Sequence, residues 1–385
     1  MALVANVANG PLRGNPQAFP YSPSWKRHAT SAFSFVEAEL DADGRVGVPA
    51  RSFDLLGECF LELGVRGDRP SSLSLTGLRA SDVVAACSFS VDGRTVEAFT
   101  GEALDVAGAG PVHVRHGDGE AQLVLGPLPF FFCSGPQQFA NVFESGATVR
   151  IELAAAFRRE RDRESSSDGS SSGGSDGSSD SDGSDDGSDG RGSSGGGKSR
   201  HNFARLVYKA VQLDCGERQS ATRDAPRLRC LSEVHTAHAT AGRDRTLRVA
   251  LPFDGLMKDL RVAVAEGGYH GYFETSDRVR RVELRLNGRT HASVSGLVAS
   301  QALAAGAGGG GGAPQRPRSG EGVLHIPFCN DPSDDEPTSH VNFGRVDAKE
   351  LVLRVERQGS YRVTVVGRRW EVLEGRAPLD IPPCM

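Results

Sequence analysis

Thr148–Leu153 reads TVRIEL, and its apolar residues fall at every second place: Val149, Ile151 and Leu153 on one side, Thr148, Arg150 and Glu152 on the other. Side chains alternate across an extended strand, so this pattern predicts a half-buried β-strand. Outward in both directions the same period returns, at Ser31–Leu40, Cys59–Val65, Thr246–Leu251, Arg261–Val264, Val282–Leu286, Leu351–Val355 and Tyr361–Val366. Helix signals are scarce. The best are Phe53–Leu63, whose DLLG ends in Gly57, and the charged, poorly periodic Glu217–Leu231. Many short antiparallel strands separated by Gly and Pro turns predict an all-β sandwich. The 385 residues leave room for two such units at ~150 residues each.

Hydrophobic residues make up 38% of the chain, and with 48 Gly they reach the apolar share of a globular protein, which excludes wholesale disorder. The net charge of -5 is mostly local, because residues 165–200 hold seven Asp against Arg191, Lys198 and Arg200. The rest of the chain is close to neutral, without the basic excess that phosphate neutralisation demands, so direct nucleic-acid binding is not expected. Seven scattered Cys (59, 87, 133, 215, 230, 329 and 384) form no C-x-x-C pair, which predicts plain thiols in a reducing compartment rather than a zinc or redox site. The start MALVANVANG lacks a basic leader segment and no apolar run approaches ~20 residues, so a soluble intracellular chain is expected.

Several motif matches dissolve on inspection. Gly192–Ser199 (GSSGGGKS) is a literal phosphate-loop pattern, with Gly192, Gly197, Lys198 and Ser199 in the signature places. It follows a solvated Ser/Gly/Asp tract instead of a buried strand, and no helix opens after it, so it is read as a chance match and no cofactor site is assigned. Asp180, Asp182, Asp185, Asp186 and Asp189 imitate calcium-loop spacing but lack the closing Glu and flanking helices. His113 with His116, and His235 with His238, lie three apart and face opposite sides of a strand, so neither pair is a metal site. No nucleophile elbow is present, and neither a catalytic nor a metal residue is assigned.

Read in order, a further set of segments resembles the double jelly-roll major capsid proteins of nucleocytoplasmic large DNA viruses. They begin with Gly14-Asn15-Pro16, Phe19, and Lys26-Arg27-His28 with Thr30. Asp54-Leu55-Leu56 through Leu61-Glu62, Leu128-Pro129-Phe130-Phe131-Phe132 and the V-x-I strand at Val149–Ile151 follow. Beyond the acidic tract come Leu206–Arg218, Pro252–Val262, Leu284–Gly288 (LRLNG), Asn342–Asp347 (NFGRVD) and the closing strand Val363–Glu374. Where the family carries an aromatic Y-F stretch after LRLNG, this chain has Val294–Ser300 (VSGLVAS) and then a Gly-rich loop. Short outer loops are expected from its length.

The resemblance implies two tandem eight-stranded antiparallel jelly rolls. An arm at 1–25 precedes a first jelly roll at 26–222, with a disordered Ser/Gly/Asp loop at 160–201. The second spans 223–375, with a Gly-rich loop at 304–322, and a tail at 376–385 ends the chain. It also implies a non-enzymatic structural virion protein whose homotrimers form pseudo-hexameric capsomers of an icosahedral shell, assembled in the host cytoplasm or viral factory. Neighbouring capsomers, minor capsid or cement proteins and an internal membrane beneath the shell are the implied partners, with the acidic loop on the outer face of the trimer. Phe130–Phe132 is read as a core strand, with a partner-docking patch as its alternative, and Asn342–Asp347 as a turn whose Asn and Asp satisfy local backbone groups. An assembly scaffold or a minor or vertex component would use the same fold. A carbohydrate-binding sandwich or a cupin-type enzyme fits less well, since two Trp, five Tyr and unclustered His offer little for either.

Overall fold

The computed structural model describes residues 3–4, 32–49, 52–66, 78–109, 112–116, 120–133, 139–140, 146–157, 203–213, 228–266, 278–296, 298–299, 323–329 and 339–372. Its first half runs β1 (Leu3–Val4), β2 (Ala32–Glu39), β3 (Arg45–Val48), β4 (Leu55–Arg66), α1 (Ala80–Val83), β5 (Val84–Val91), β6 (Arg94–Thr100) and α2 (Gly101–Ala107). It continues through β7 (Val112–His116), β8 (Glu120–Leu125), β9 (Phe139–Ala140), β10 (Ala147–Leu153) and β11 (Phe203–Gln212). The second half holds β12 (Leu228–Ala241), β13 (Thr246–Ala250), β14 (Leu256–Glu266), β15 (Val279–Leu286), β16 (Arg289–Ser295), β17 (Leu324–Pro327) and β18 (Val341–Asn342). A 3-10 turn at Phe343–Arg345, then β19 (Lys349–Val355) and β20 (Gly359–Val372), complete it.

These strands make two sandwiches of identical topology. In the first, one sheet is ordered β1-β2-β11-β4-β8-β7 with β9 beside β4, and the other β3-β10-β5-β6. In the second, β12-β20-β14-β17 with β18 beside β14 faces β13-β19-β15-β16. Without the short additions β1, β7, β9 and β18, each sandwich has eight strands. The first neighbours the eighth, then the third and sixth, in one sheet; the second neighbours the seventh, then the fourth and fifth, in the other. That is the jelly-roll order, with antiparallel pairing throughout. TVRIEL forms β10, with Val149, Ile151 and Leu153 buried and Arg150 and Glu152 exposed.

Two expectations are corrected. Phe53–Leu63 is not helical: from Leu55 it is strand β4. The ladder to β11 shifts register between Tyr208 and Ala210, so β4 carries an extra residue and its inward side chains are Leu56, Cys59, Leu61 and Leu63. That first spacing of three imitates a helical period, where a bulge is the cause. The last residues of Glu217–Leu231 belong to β12, and those before Leu228 lie outside the described residues. No helix among the described residues is long and apolar enough to cross a membrane.

Each sandwich has its own core. Phe89, Phe99, Phe130, Phe132, Leu61, Leu63, Val149 and Ile151 fill the first. Phe253, Met257, Leu260, Val262, Leu284, Leu353, Tyr361, Val363 and Val365 fill the second. The first cluster also takes in Leu231, Ala263, Val323 and Val366 from the second sandwich, so the apolar interior continues across the seam between them.

Candidate functional site

The segments that carry the family resemblance act as clasps within each sandwich. Asp54 opens β4, and its Oδ2 accepts from Leu213 N at 2.7 Å, pinning the end of β11. Glu62 on the same strand receives hydrogen bonds from Gln122 on β8 and Arg205 on β11. Arg205, chiefly through its hydrogen bond, holds the Glu62 carboxyl below the usual range against the opposing effect of burial. In the second sandwich, Asn287 of LRLNG sits at φ +49 between β15 and β16, and its Oδ1 accepts from Asp347 N at 3.1 Å and Ala348 N at 2.9 Å. LRLNG and NFGRVD, 60 residues apart, therefore meet. Asn342 Oδ1 accepts from Gly344 N at 3.0 Å, the local turn role expected of it.

Phe130, Phe131 and Phe132 are all buried, and they stack around Phe89, with ring centroids 4.7 Å apart for Phe89 and Phe132. They are core residues, but they lie beyond β8 in a turn rather than in a strand, as Cys133 N bonding back to Phe130 O shows. An all-apolar run has no period and does not reveal which it will be.

The most distinctive geometry lies at the seam. Helix α2 and strand β6 of the first sandwich pack on the outer face of β12, β20 and β14. That sheet is consequently covered on both faces: Met257, Leu260, Val262 and Val264 point into the second core, and Asp259, Arg261 and Ala263 toward the first sandwich. Glu97 on β6, only 1% exposed, accepts from Phe131 N at 2.8 Å and from Ser232 N at 2.7 Å, joining the two sandwiches through one carboxyl. Burial pushes its pKa up to about 8, against the opposing effect of the two amide donors. Arg261 donates to Ala107 O at the carbonyl end of α2, and Arg362 pairs with Glu102 in its first turn. Arg261 and Glu102 thus each meet the helix end that favours their charge.

Beside these contacts lies a buried ionic cluster. Arg368 Nε donates to Asp259 Oδ1 at 2.8 Å and Oδ2 at 3.0 Å, and His325 Nε2 lies 2.9 Å from Oδ2. Burial alone would raise the Asp259 pKa. The charge and hydrogen bonds of Arg368, with help from His325 and Arg261, overcome this and hold the carboxyl far below the carboxylate range. Lys258 is buried under the Trp370 ring, its Nζ 5.2 Å from the centroid. These contacts tie β14, β17 and β20 together on the side of their sheet that faces the first sandwich.

Most of the residues singled out for chemistry lie outside the described residues. Gly192, Gly197, Lys198 and Ser199, the acidic run Asp180–Asp189, the Gly14–Thr30 segment and Trp25 lie outside the described residues, as do the loops at 160–201 and 304–322 for the most part. His235 stacks edge-on against Phe253 while His238 is exposed, so the pair divides between the two sides of β12 as expected. Cys59, Cys87, Cys133 and Cys329 are buried free thiols, and Cys230 is buried as well. Burial raises the thiol pKa of Cys87, Cys133, Cys230 and Cys329. Among the described residues no group of three or more His, Cys, Asp or Glu is placed to hold a metal. The seam charges were missed from sequence. The one available signal was the charged trio Lys258, Asp259 and Arg261 inside the largely apolar run of β14.

No family model and no curated protein matches the chain. Solved structures do. The Faustovirus major capsid protein superposes at TM-score 0.60 and 9% identity, covering 91% of this chain and 91% of its own. The chain is a double jelly roll. The quasi-atomic model of the PBCV-1 virus capsid gives 0.58 at 13% identity, covering 91% of this chain and 97% of its own. The crystal structure titled STIV MCP gives 0.51 at 12% identity over 88% and 96%. At such identities the likeness is one of fold, and it extends across both sandwiches.

Proposed function

We propose that this chain is a structural virion protein, the major capsid protein of an icosahedral large DNA virus, and that it assembles as homotrimeric, pseudo-hexameric capsomers. The observation that carries the reading is the arrangement of two sandwiches of one topology, locked side by side by a buried seam, in a fold matched over nine-tenths of its length by the Faustovirus major capsid protein. Two similar lobes per subunit give a ring of three subunits six similar lobes, an outline that tiles a hexagonal lattice. The chain outside residues 165–200 is nearly neutral, so no like-charge field opposes lateral packing of such rings.

In this reading the division between the lobes falls between residues 222 and 223, the chain performs no catalysis, and it works in the virion against neighbouring capsomers, minor capsid proteins and an underlying membrane. Electron microscopy of the purified chain tests the proposal. Class averages with a hexagonal outline and three-fold symmetry are expected. Particles without three-fold symmetry would contradict it.

A further inference from the structure

The sheet of the second sandwich that faces away from the first is covered with arginine. Its strands alternate, so the residues between core positions point outward: Arg248 between Leu247 and Val249, Arg354 between Leu353 and Val355, and Arg281, Glu283 and Arg285 around Val282 and Leu284. Across the ladders Arg354 stands opposite both Thr246 and Arg281, and Val352 stands between Arg248 and Glu283. Val352 is only 2% exposed although it points away from the core, so the long side chains around it lie over the sheet.

The carboxylates on this face are already engaged. Glu283 is shared by Arg281 at 3.5 Å and Arg285 at 2.9 Å, and Glu350 pairs with Arg248 at 3.2 Å. Arg243, Arg245, Arg289 and Arg354 are exposed and have no ion pair among the described residues. Like charges directly opposite on neighbouring strands repel, as Arg281 and Arg354 must. Residues 242–250, 279–295 and 349–355, which form this sheet and its hairpin turns, hold nine Lys and Arg against three Asp and Glu. The matching stretches of the first sandwich, 41–48, 84–100 and 147–153, hold three against five. The basic excess therefore belongs to this one sheet and not to the topology.

The complementary charge lies in the same chain. Residues 165–190 hold seven Asp and no Lys, Arg or Glu, so their charge nearly balances the surplus on the sheet. They fall within the 45 residues, 158–202, that connect the end of the first sandwich's β10 region to β11. Half of that connection spans up to ~75 Å when extended. The two sheets of a sandwich lie only ~10 Å apart, so the segment can pass round the second sandwich to its far sheet. A nucleic acid or an anionic lipid would also meet the face by charge, but each would compete with tethered carboxylates at an effective concentration on the order of millimolar.

We infer that the arginine face of β13, β19, β15 and β16 binds the Asp-rich segment 165–190 of this chain. The inference goes beyond the capsid reading and does not rest on it, because face and segment both belong to the chain itself. An Asp carboxylate placed between Arg281 and Arg354 relieves their mutual repulsion and gives Arg354 the counter-charge it lacks. The bound segment also hides this basic surface from phosphate-rich partners. The contact is exposed and electrostatic, so salt weakens it.

Carbodiimide coupling on the full-length R354K variant tests this. The introduced amine keeps the positive charge and forms an amide with an activated Asp, while the carbodiimide takes up the water and leaves as its urea. Peptide mapping is expected to recover amides between position 354 and residues 165–190 at low salt, and to lose them at ~1 M salt, where the screening length is ~3 Å. Lys209 on the first sandwich is the internal reference, since a segment ranging over the whole surface couples to both positions alike. In a second arm, the chain with all seven Asp of the segment changed to Asn is titrated with a labelled DNA duplex as a polyanion probe. It is expected to bind roughly tenfold more tightly than the wild type, by a gain that adding R281Q and R354Q removes. No coupling at position 354, coupling no greater than at Lys209, or coupling that survives high salt overturns the inference. So does a wild type that binds the duplex as tightly as the Asn variant, since the face is then open to phosphate-rich partners. None of these results touches the capsid reading, which is decided by the three-fold symmetry of the particles.

Discussion

Replacing Asp259 with alanine removes the carboxylate on which the buried cluster turns. Asp259 is fully buried and accepts from Arg368 and His325, with Arg261 nearby on the same face. Without it, Arg368, whose side chain is 19% exposed, is left without its buried counter-charge. Breaking such a pair from one side costs about 3–5 kcal/mol, since the surviving charge stays desolvated. At ~2–4 °C per kcal/mol for a unit of this size, the melting temperature of the second sandwich falls by roughly 6–20 °C. Calorimetry and guanidinium titration measure both quantities. The companion variant D259L/R368M removes both charges of the pair and fills the space with apolar atoms, so it is expected to recover part of the D259A loss, with Arg261 and His325 still lacking the carboxylate. A D259A loss below ~1 kcal/mol would refute the reasoning, because it would mean that water or another group already neutralises Arg368.

Glu97 carries the opposite pH signature. Its folded value of about 8 lies above the 4.5 of an ordinary Glu, so the stability linked to its proton is complete below pH 4.5 and is lost as pH rises toward 8. E97Q is expected to flatten that decline in denaturant titrations between pH 5 and 8; an unchanged slope would reject the assignment. Asp259, held low, contributes stability that is present above the ordinary Asp value and lost only in strong acid, so acid unfolding should shift upward in pH in D259N. Thr364 is buried at the seam and its Oγ1 has no hydrogen-bond partner among the described residues, so T364V should stabilise by ~1 kcal/mol in the same titration. N287A loses two backbone donors and places alanine at φ +49, which should destabilise by about 2–3 kcal/mol, with N287G recovering part of the loss.

The sandwiches were legible because most of their strands present one face to a core and one to water. TVRIEL in β10 and the alternation of β13 show this directly, with Leu247 and Val249 buried and Arg248 exposed. Legibility failed where that condition failed. In β4 a bulge near Gly57 set Leu56 and Cys59 three apart and suggested a helix. In Phe130–Phe132 every residue is apolar, so burial was predictable and conformation was not. Helix α2 has only seven residues, too few to display a 3.6 period, although Thr100 before it and Gly108 in the left-handed region after it are recognisable caps.

The seam was out of reach for another reason. Glu97 meets Ser232 across 135 positions and Asp259 meets Arg368 across 109, and no local pattern tells a buried carboxylate from a solvated one. What the sequence did contain, unread, was the internal repeat of a hydroxyl cap followed by Gly at Thr100-Gly101 and Ser295-Gly296.

The most direct test of the account is the solution mass of the purified chain by light scattering after size exclusion. A single species near three times 40.7 kDa, unchanged on dilution, is the predicted result. A monodisperse 40.7 kDa monomer at all concentrations would contradict the trimeric capsomer on which the functional proposal depends.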